Sequence, residues 1–183
     1  MTQLLNGKFL LASPYLPDSN FQRTVVFMVK HDVDGALGLV LTRPSDLRLQ
    51  QLLESTMGSS GVREDLVYLG GPVEGPLCAL HEDANLADLD CEGGLFVTSE
   101  QESIILLANR PNARVRFFAG YSGWGAGQLE SEMKSGGWLT CDATADEVFG
   151  DFEPLWESLV KRVGRSIIGE AVPFASNVDS QMN

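Results

Sequence analysis

The hydrophobic positions of this chain alternate between segments typical of strands and segments typical of amphipathic helices. Strands are predicted at residues 9–12, 24–31, 36–42, 66–69, 77–80, 95–98, 114–121 and 138–142. The second segment is apolar at nearly every position, which predicts a strand covered on both faces. Between the second and third segments, Asp32-Val33-Asp34-Gly35 predicts the tight turn of an antiparallel hairpin. Residues 70–76, GGPVEGP, predict another turn.

Helices are predicted at residues 47–57, from the Ser99 cap through Asn109, at residues 127–135 and from Pro154 onward. Asp46 is the predicted N-cap of the first, and Ser99 with Glu102 forms a predicted capping box for the second. A further capping box, Thr144 with Glu147, opens a short helix. Strands occur both in hairpins and with helices between them. We therefore expect an α+β fold, a single compact domain with a mixed, largely antiparallel sheet and helices packed on it. It should span residues 1–173, with 174–183 a mobile tail.

The stretch GYSGWGAGQL begins at Gly120 and has an unusual density of glycine. Its glycines are Gly120, Gly123, Gly125 and Gly127. They predict a shaped turn between a strand and a helix. In one interpretation the turn is only a structural corner, so that Gly125→Ala costs stability and leaves binding intact. In the other, the helix N-terminus receives a small anion, Tyr121 or Trp124 stacks on a planar ligand, and Gln128 orients it.

The net charge of −12 sets the class of partner that the chain can attract. An acidic protein with a pI near 4.4 is repelled by nucleic-acid phosphates and by anionic lipid, so neither direct nucleic-acid binding nor membrane association is expected. No segment approaches the ~20 apolar residues that cross a bilayer, and the N-terminus does not have the pattern of a signal peptide. The three cysteines are odd in number and lack CxxC spacing, which disfavours disulfides. A cytoplasmic location is expected, with no cofactor.

The chain does not match the familiar catalytic motifs. The glycine run departs from GxGxxG at Gln128 and from GxSxG at Trp124, and no P-loop is present. His31 and His81 each stand beside acidic residues, which permits a shared metal or acid–base site. The alternative is two partly exposed histidines in polar turns. Cys78 and Cys141 lie in apolar strand patterns that predict burial, whereas Cys91, between two acids, is expected to be more exposed.

Four blocks of sequence resemble the AlgH/YqgE family of bacterial proteins. They are residues 9–44 (FLLASPYLPDSNFQRTVVFMVKHDVDGALGLVLTRP), 67–73 (VYLGGPV), 78–81 (CALH) and 118–133 (FAGYSGWGAGQLESEM). Members are commonly labelled transcriptional regulators, although the family's biochemical function is not established. The resemblance groups Asp18, Arg43 and Gln128 as polar groups lining one cleft. Thr42 stands where the family usually has Asn, so a role that needs a side-chain amide there is in doubt, although a hydroxyl can still hydrogen-bond.

These observations favour a binding or regulatory protein over an enzyme. The expected partner is a small anionic or planar ligand, or another protein, and any transcriptional effect should be indirect. One alternative is an enzyme of unassigned class that uses a cleft between the Gly120–Gln128 stretch and the region of His31 or His81. Another is a structural or assembly role, which a flat apolar surface would favour.

Overall fold

The computed structural model describes residues 4–16 and 18–171, which form one ten-stranded sheet with helices packed on it. The strands are β1 (Lys8–Ala12), β2 (Val25–Asp32), β3 (Gly35–Val40), β4 (Pro44–Arg48), β5 (Leu66–Leu69), β6 (Val73–His81), β7 (Leu89–Asp90), β8 (Phe96–Thr98), β9 (Val115–Gly125) and β10 (Trp138–Asp142). The α-helices are α1 (Leu49–Met57), α2 (Gln101–Ala108), α3 (Gln128–Lys134), α4 (Ala145–Val148) and α5 (Leu155–Ala171). Short 3₁₀ turns span Ser19–Phe21 and Ala84–Leu86. Of these helices, none is long and apolar enough to cross a membrane.

The strands follow the order β10-β1-β2-β3-β9-β6-β8-β7 across the sheet. Strand β5 runs parallel to β9, and the other pairings in the described part of the chain are antiparallel. The hairpin expected at Asp32-Val33-Asp34-Gly35 is present, because β2 pairs with β3 from Asp32↔Gly35 onward. The predicted α+β class with a mixed, largely antiparallel sheet is therefore confirmed.

Strand β9 organises the sheet because three strands pair with it. Along one edge, β5 pairs with its first half, from Phe117 to Ala119, and β3 pairs with its last four residues. Along the other edge, β6 runs antiparallel from Val115 to Tyr121. The amide of Val40 donates to the carbonyl of Gly70 at 2.9 Å, which joins the ends of β3 and β5 beside β9.

The glycine run is mostly strand, which corrects the predicted turn. Gly120 lies inside β9 with a φ of +72°. The pairing opposite it is irregular, because the β6 segment from Val73 to Leu77 faces the shorter β9 segment from Tyr121 to Ala119. A Cβ on Gly120 would lie 2.6 Å from the carbonyl oxygen of Val73. Only Ala126 and Gly127 separate the strand from α3. Glycine here permits a bulge in a strand rather than a corner.

Three hydrophobic clusters fill the spaces around the sheet. Both faces of β2 are buried as predicted: Phe27 belongs to the largest cluster, which also includes residues of α5, and Met28 belongs to a second cluster with Trp124. The third cluster joins α1 and α2 to the outer face of β5, β6 and β9. Burying apolar side chains on both faces of the central strands stabilises the fold at about 25 cal/mol per Å² removed from water.

Two predicted helix starts are wrong. Asp46 lies in β4, and α1 begins only after Arg48, which is its N-cap. Ser99 does not cap α2. Its hydroxyl and its backbone amide both donate to Oδ2 of Asp88, and Glu100 is the N-cap. The Thr144 cap of α4 is confirmed, since its hydroxyl accepts from the amide of Glu147. Residues 174–183, expected to form a tail, lie outside the described residues.

We expect Gly120→Ala to lower the free energy of unfolding by at least about 2 kcal/mol, because alanine is strained at this φ and meets the Val73 carbonyl. Gly125→Ala, which the sequence predicted to be costly, should change it by less than about 0.5 kcal/mol, since a Cβ there meets only the Gln128 side chain at 3.9 Å. Urea denaturation of both variants measures this difference. If both variants lose the same stability, the left-handed conformation of Gly120 has no special role in β9.

Candidate functional site

A cleft of about 500 Å³ opens where the end of β9 meets α3. We call it the aromatic cleft, and its lining residues are Tyr15, Leu16, Asp18, Phe21, Pro72, Gly123, Trp124, Gln128, Ser131, Glu132, Ser135, Gly136, Gly137 and Trp138. The connection between β1 and β2 forms one wall, and α3 forms the other. This volume lies within the range of small-molecule sites.

The floor of the aromatic cleft consists of three aromatic rings in mutual contact. Phe21 stacks on Trp124 with ring centroids 5.9 Å apart and planes inclined by 25°. Trp138 meets both rings edge-on, at 5.2 Å from Phe21 and 5.9 Å from Trp124. All three side chains are at least nine-tenths buried, so the floor is fixed by packing before any ligand arrives.

One carboxylate holds this floor in place. The indole N–H groups of Trp124 and Trp138 both donate to Oε2 of Glu132, at 3.0 and 2.8 Å. The amide of Gln128 donates to Oε1 of the same residue at 3.0 Å. The side chain of Gln128 also accepts the Gly125 amide at 3.0 Å. Glu132 thus links α3 to β9 and β10 through polar contacts that satisfy two buried donors.

The charges of the aromatic cleft disfavour an anionic ligand. Asp18 and Glu132 line it, and its lining contains no lysine or arginine. Helix α3 has only seven residues, carries Glu130 in its first turn, and has the Gln128 side chain folded over its start. Carboxylates repel an anion and accept hydrogen bonds, so the cleft suits a neutral or positively charged group.

The structure brings together only part of the predicted site. Gly123, Trp124, Gln128 and Asp18 line the aromatic cleft. The half-buried ring of Tyr121 packs against the largest core cluster instead. The remaining predicted members, Gly120, Gly125 and Gly127, do not line the cleft.

Arg43 lies elsewhere, so the expected trio of Asp18, Arg43 and Gln128 is not assembled. Its guanidinium donates to the backbone carbonyls of Gln22 and Thr42, and it lines a separate cavity beside Trp156. The hydroxyl of Thr42 accepts the amide of Val25 at 3.2 Å, so this threonine joins β2 to the end of β3 without a side-chain amide.

Tyr15, Trp138 and Glu132 were missed by the sequence analysis. The first belongs to a block that the family resemblance singled out, which is the signal that could have found it. Trp138 follows two glycines and has the pattern of an ordinary strand residue. Glu132 is one of two acids on α3 and lies in the family block at residues 118–133, but nothing local distinguishes it from Glu130. Their convergence depends on β10 pairing with β1, a contact that spans more than 120 residues of sequence.

His31 and His81 cannot share a site. His31 pairs with Ala36, which in turn pairs with Trp124, whereas His81 pairs with Val115. The β9 positions level with the two histidines, Trp124 and Val115, are nine residues apart along the strand, or roughly 30 Å. Within the described ranges, no cluster of metal-ligating residues occurs.

Each histidine is buried rather than partly exposed, which corrects both interpretations of these residues. The Nε2 atom of His31 lies 3.1 Å from Oε1 of Glu130, while its Nδ1 has no partner among the described residues. In His81, Nδ1 accepts the Asp83 amide at 3.2 Å and Nε2 has no such partner. Burial lowers the pKa of the His81 imidazole, so the ring is held in its neutral form.

The cysteines are unreactive in this fold. Cys91, expected to be exposed, is fully buried, and burial together with the charge of Asp90 raises the pKa of its thiol to about 12. Burial also raises the pKa of the Cys78 thiol to about 12. Cys78 and Cys141 are half-buried, and all three thiols are free. A thiol with such a raised pKa is a poor nucleophile.

Comparisons with known proteins agree on one family. The family described as AlgH-like (DUF179) matches residues 9–168. A UPF0301 protein of Myxococcus xanthus is 42% identical over 161 residues, covering 85% of this chain and 88% of the relative. A second UPF0301 protein, from Ruegeria pomeroyi, is 39% identical over 170 residues and covers 87% of this chain and 92% of the relative.

Two solved structures share the fold. The solution structure of the AlgH protein of Pseudomonas aeruginosa has a TM-score of 0.71 at 30% identity, covering 96% of this chain and 100% of that one. The crystal structure of a Corynebacterium diphtheriae protein has a TM-score of 0.69 at 22% identity and covers 88% of each chain. The expected resemblance to the AlgH/YqgE family is thereby confirmed.

We expect Glu132→Ala to lower the free energy of unfolding by about 2–4 kcal/mol, because it leaves two buried indole N–H groups without an acceptor. Glu132→Gln keeps one oxygen within reach of both indoles and should cost less than half as much. Urea denaturation, followed by tryptophan fluorescence, measures both losses. If the two variants lose equal stability, the indole hydrogen bonds are not what Glu132 contributes.

We expect His81→Asn to weaken the pH dependence of stability on the acid side of neutrality. The pKa of His81 is lowered in the fold, so the unfolded chain binds the proton more readily, and stability is lost as pH falls below the ordinary value of about 6.5. Asparagine can still accept the Asp83 amide but does not titrate. Unfolding free energies at about pH 5.5 and about pH 7.5 should therefore differ less in the variant than in the natural chain. An unchanged difference would exclude His81 as a source.

Proposed function

We propose that this chain, which belongs to the AlgH-like family, is a binding protein whose aromatic cleft takes a planar, neutral or positively charged small molecule. The observation that carries the proposal is the combination of a rigid aromatic floor with an exposed ring at the mouth of the cleft. The floor rings are almost completely buried, but the Tyr15 side chain is 91% exposed. Its ring is therefore free to close over a flat molecule that rests in the cleft.

An exposed tyrosine is costly to leave in water when it has no partner. Transfer of a large aromatic ring out of water is favourable by about 25 cal/mol per Å² of apolar surface. Stacking on a flat ligand adds about 0.5–1.5 kcal/mol beyond that area term. Pro72 provides a further exposed surface that lines the same cleft. These features favour a ligand with a flat, unsaturated ring.

The polar groups of the cleft favour a ligand that donates hydrogen bonds or carries positive charge. The exposed Asp18 accepts the Asn20 amide through Oδ1 at 2.8 Å, and its carboxylate retains further acceptor capacity. Glu132 already accepts three donors from the protein. We therefore assign recognition of the ligand to Asp18 and Tyr15, and we assign Glu132 to holding the floor.

The alternative of an enzyme has less support. A catalytic site usually places a histidine, cysteine or perturbed carboxylate beside its substrate. Neither His31 nor His81 lines the aromatic cleft, and the cysteines are absent from its lining as well. The alternative of a structural or assembly role has less support because the cleft is concave rather than flat.

Any regulatory effect of this protein is proposed to be indirect. The net charge of −12 opposes binding to nucleic-acid phosphates, which depends on lysine and arginine displacing counterions. We propose that ligand occupancy changes the surface formed by the connection between β1 and β2, and that a protein partner responds to it. We propose a cytoplasmic location for this activity.

The proposal is tested with four ring compounds of different charge and shape: adenine, benzamidine, benzoate and cyclohexylamine. Adenine or benzamidine should bind and quench tryptophan fluorescence, because both are planar and donate hydrogen bonds. Benzoate should be rejected by its charge and cyclohexylamine by its shape. Tyr15→Ala should raise the Kd of the binding compound about three- to tenfold, in line with the loss of one stacking contact.

Val33→Ala is the matched control, because Val33 is 87% exposed at the tip of the β2–β3 hairpin and does not line the cleft. It should leave the Kd unchanged. Tyr15→Phe should bind like the natural chain if stacking is the contribution of this residue. Preference for benzoate, or binding that Tyr15→Ala does not weaken, would overturn the proposal.

A further inference from the structure

A second cavity of about 480 Å³ lies at the opposite end of β9 from the aromatic cleft. We call it the arginine cavity, and its lining residues are Arg63, Asp65, Leu66, Tyr68, Ala113, Arg114, Val115, Arg116, Phe117, Asp146 and Phe149. Three arginines and two acidic residues line it, in a chain that carries a net charge of −12. Such a local excess of positive charge runs against the character of the whole protein.

Arg63 and Arg114 are both paired with acids of the protein. Arg63 binds Asp65 through Nε and donates through Nη1 to the backbone carbonyls of Arg110, Pro111 and Ala113, so these two nitrogens hold the wall of the cavity. Arg114 is held less firmly. It bonds Asp146 at 2.8 Å and Glu82 at 3.4 Å, and the Asp146 side chain is 93% exposed. Exposed pairs of this kind contribute about 0–1 kcal/mol, so another anion can displace the carboxylate.

Arg116 is the unusual cation of the cavity. It is only 8% exposed, and its hydrogen bonds within the described part of the chain go to the backbone carbonyls of Leu41 and Gly150, at 3.4 and 2.6 Å, rather than to a carboxylate. Its guanidinium lies 4.6 Å above the ring of Tyr68. Asp151 attracts this cation electrostatically but does not hydrogen-bond it within the described residues. Burial still imposes a desolvation penalty on the guanidinium, which an anion bound in the cavity would offset.

The two arginines can act together on one ligand. Arg114 and Arg116 are two residues apart in an extended segment, where alternate side chains share a face, and both line the cavity. Each guanidinium also lies against an aromatic ring, Arg114 at 5.2 Å from Phe149 and Arg116 at 4.6 Å from Tyr68. The rings restrict the guanidinium planes and leave their edges for the bidentate contacts that oxyanions accept.

We propose that the arginine cavity binds the oxyanion group of a small metabolite, a phosphate or a carboxylate, between the guanidinium groups of Arg114 and Arg116. The oxyanion replaces Asp146 at Arg114 and gives Arg116 a hydrogen-bonded negative charge. This site is separate from the aromatic cleft and does not depend on the function proposed for it.

The test is a titration of the full chain with inorganic phosphate and, separately, with acetate, each at constant ionic strength set with sodium chloride. Binding is measured by isothermal titration calorimetry and by the side-chain Nε–Hε signals of arginine in NMR spectra. Saturable binding of phosphate or acetate is expected, and the tighter of the two identifies the group. Arg114→Gln should weaken it at least about tenfold, since it removes a charge-assisted contact. Arg116→Lys should also weaken it, because lysine keeps the charge but loses the fork.

Arg162→Gln is the matched control. Its side chain is 45% exposed against 41% for Arg114, it also pairs with an acid, Glu147, and it lies on α5 outside the cavity. It removes the same charge and should leave binding unchanged. Tyr15→Ala should likewise have no effect. The proposal is overturned if neither anion saturates the protein, or if Arg162→Gln weakens binding as much as Arg114→Gln does.

Discussion

Strand β9 is the constraint on which the rest of the structure depends. It pairs with β6 along one edge and with both β5 and β3 along the other, so the positions of three strands depend on their register with β9. The left-handed conformation of Gly120 allows β9 to continue past the irregularity in β6. Beyond Gly120, the last residues of β9 pair with β3, and Trp124 belongs to the second hydrophobic cluster.

The floor of the aromatic cleft follows from this register. Pairing of Trp124 with Ala36 and of Trp138 with Ala12 brings two indoles from distant parts of the sequence onto one face of the sheet. Phe21 enters between them from the connection between β1 and β2. The carboxylate of Glu132 then accepts both indole N–H groups, so packing and hydrogen bonding position the same three rings. Because the floor is preformed, the protein loses less conformational entropy when a ligand binds.

The two ends of β9 differ in electrostatic character. Around its last residues, carboxylates line a cleft with an aromatic floor; around its first residues, arginines line a cavity with aromatic walls. The net charge of the chain does not reveal this separation, because it does not depend on where the charged residues lie in the fold. In the arginine cavity, the electrostatic interactions of the buried Arg116 are stronger than those of exposed cations, because solvent screens them only weakly.

The sequence by itself determined the strand and helix pattern, the α+β class, the hairpin at Asp32-Val33-Asp34-Gly35 and the burial of β2 on both faces, because these depend on local periodicity and turn chemistry. The family resemblance grouped Asp18 with Gln128, and both line the aromatic cleft together with Trp124. Only the tertiary structure decided that the glycine run continues a strand, that Arg43 lies elsewhere and that the two histidines stand far apart. It also brought together Tyr15, Glu132 and Trp138, and among the described residues it left Arg116 buried without a carboxylate hydrogen-bonded to it. The physical reason is that strand pairing joins residues far apart in the chain, and no local pattern specifies which strands pair or in which register.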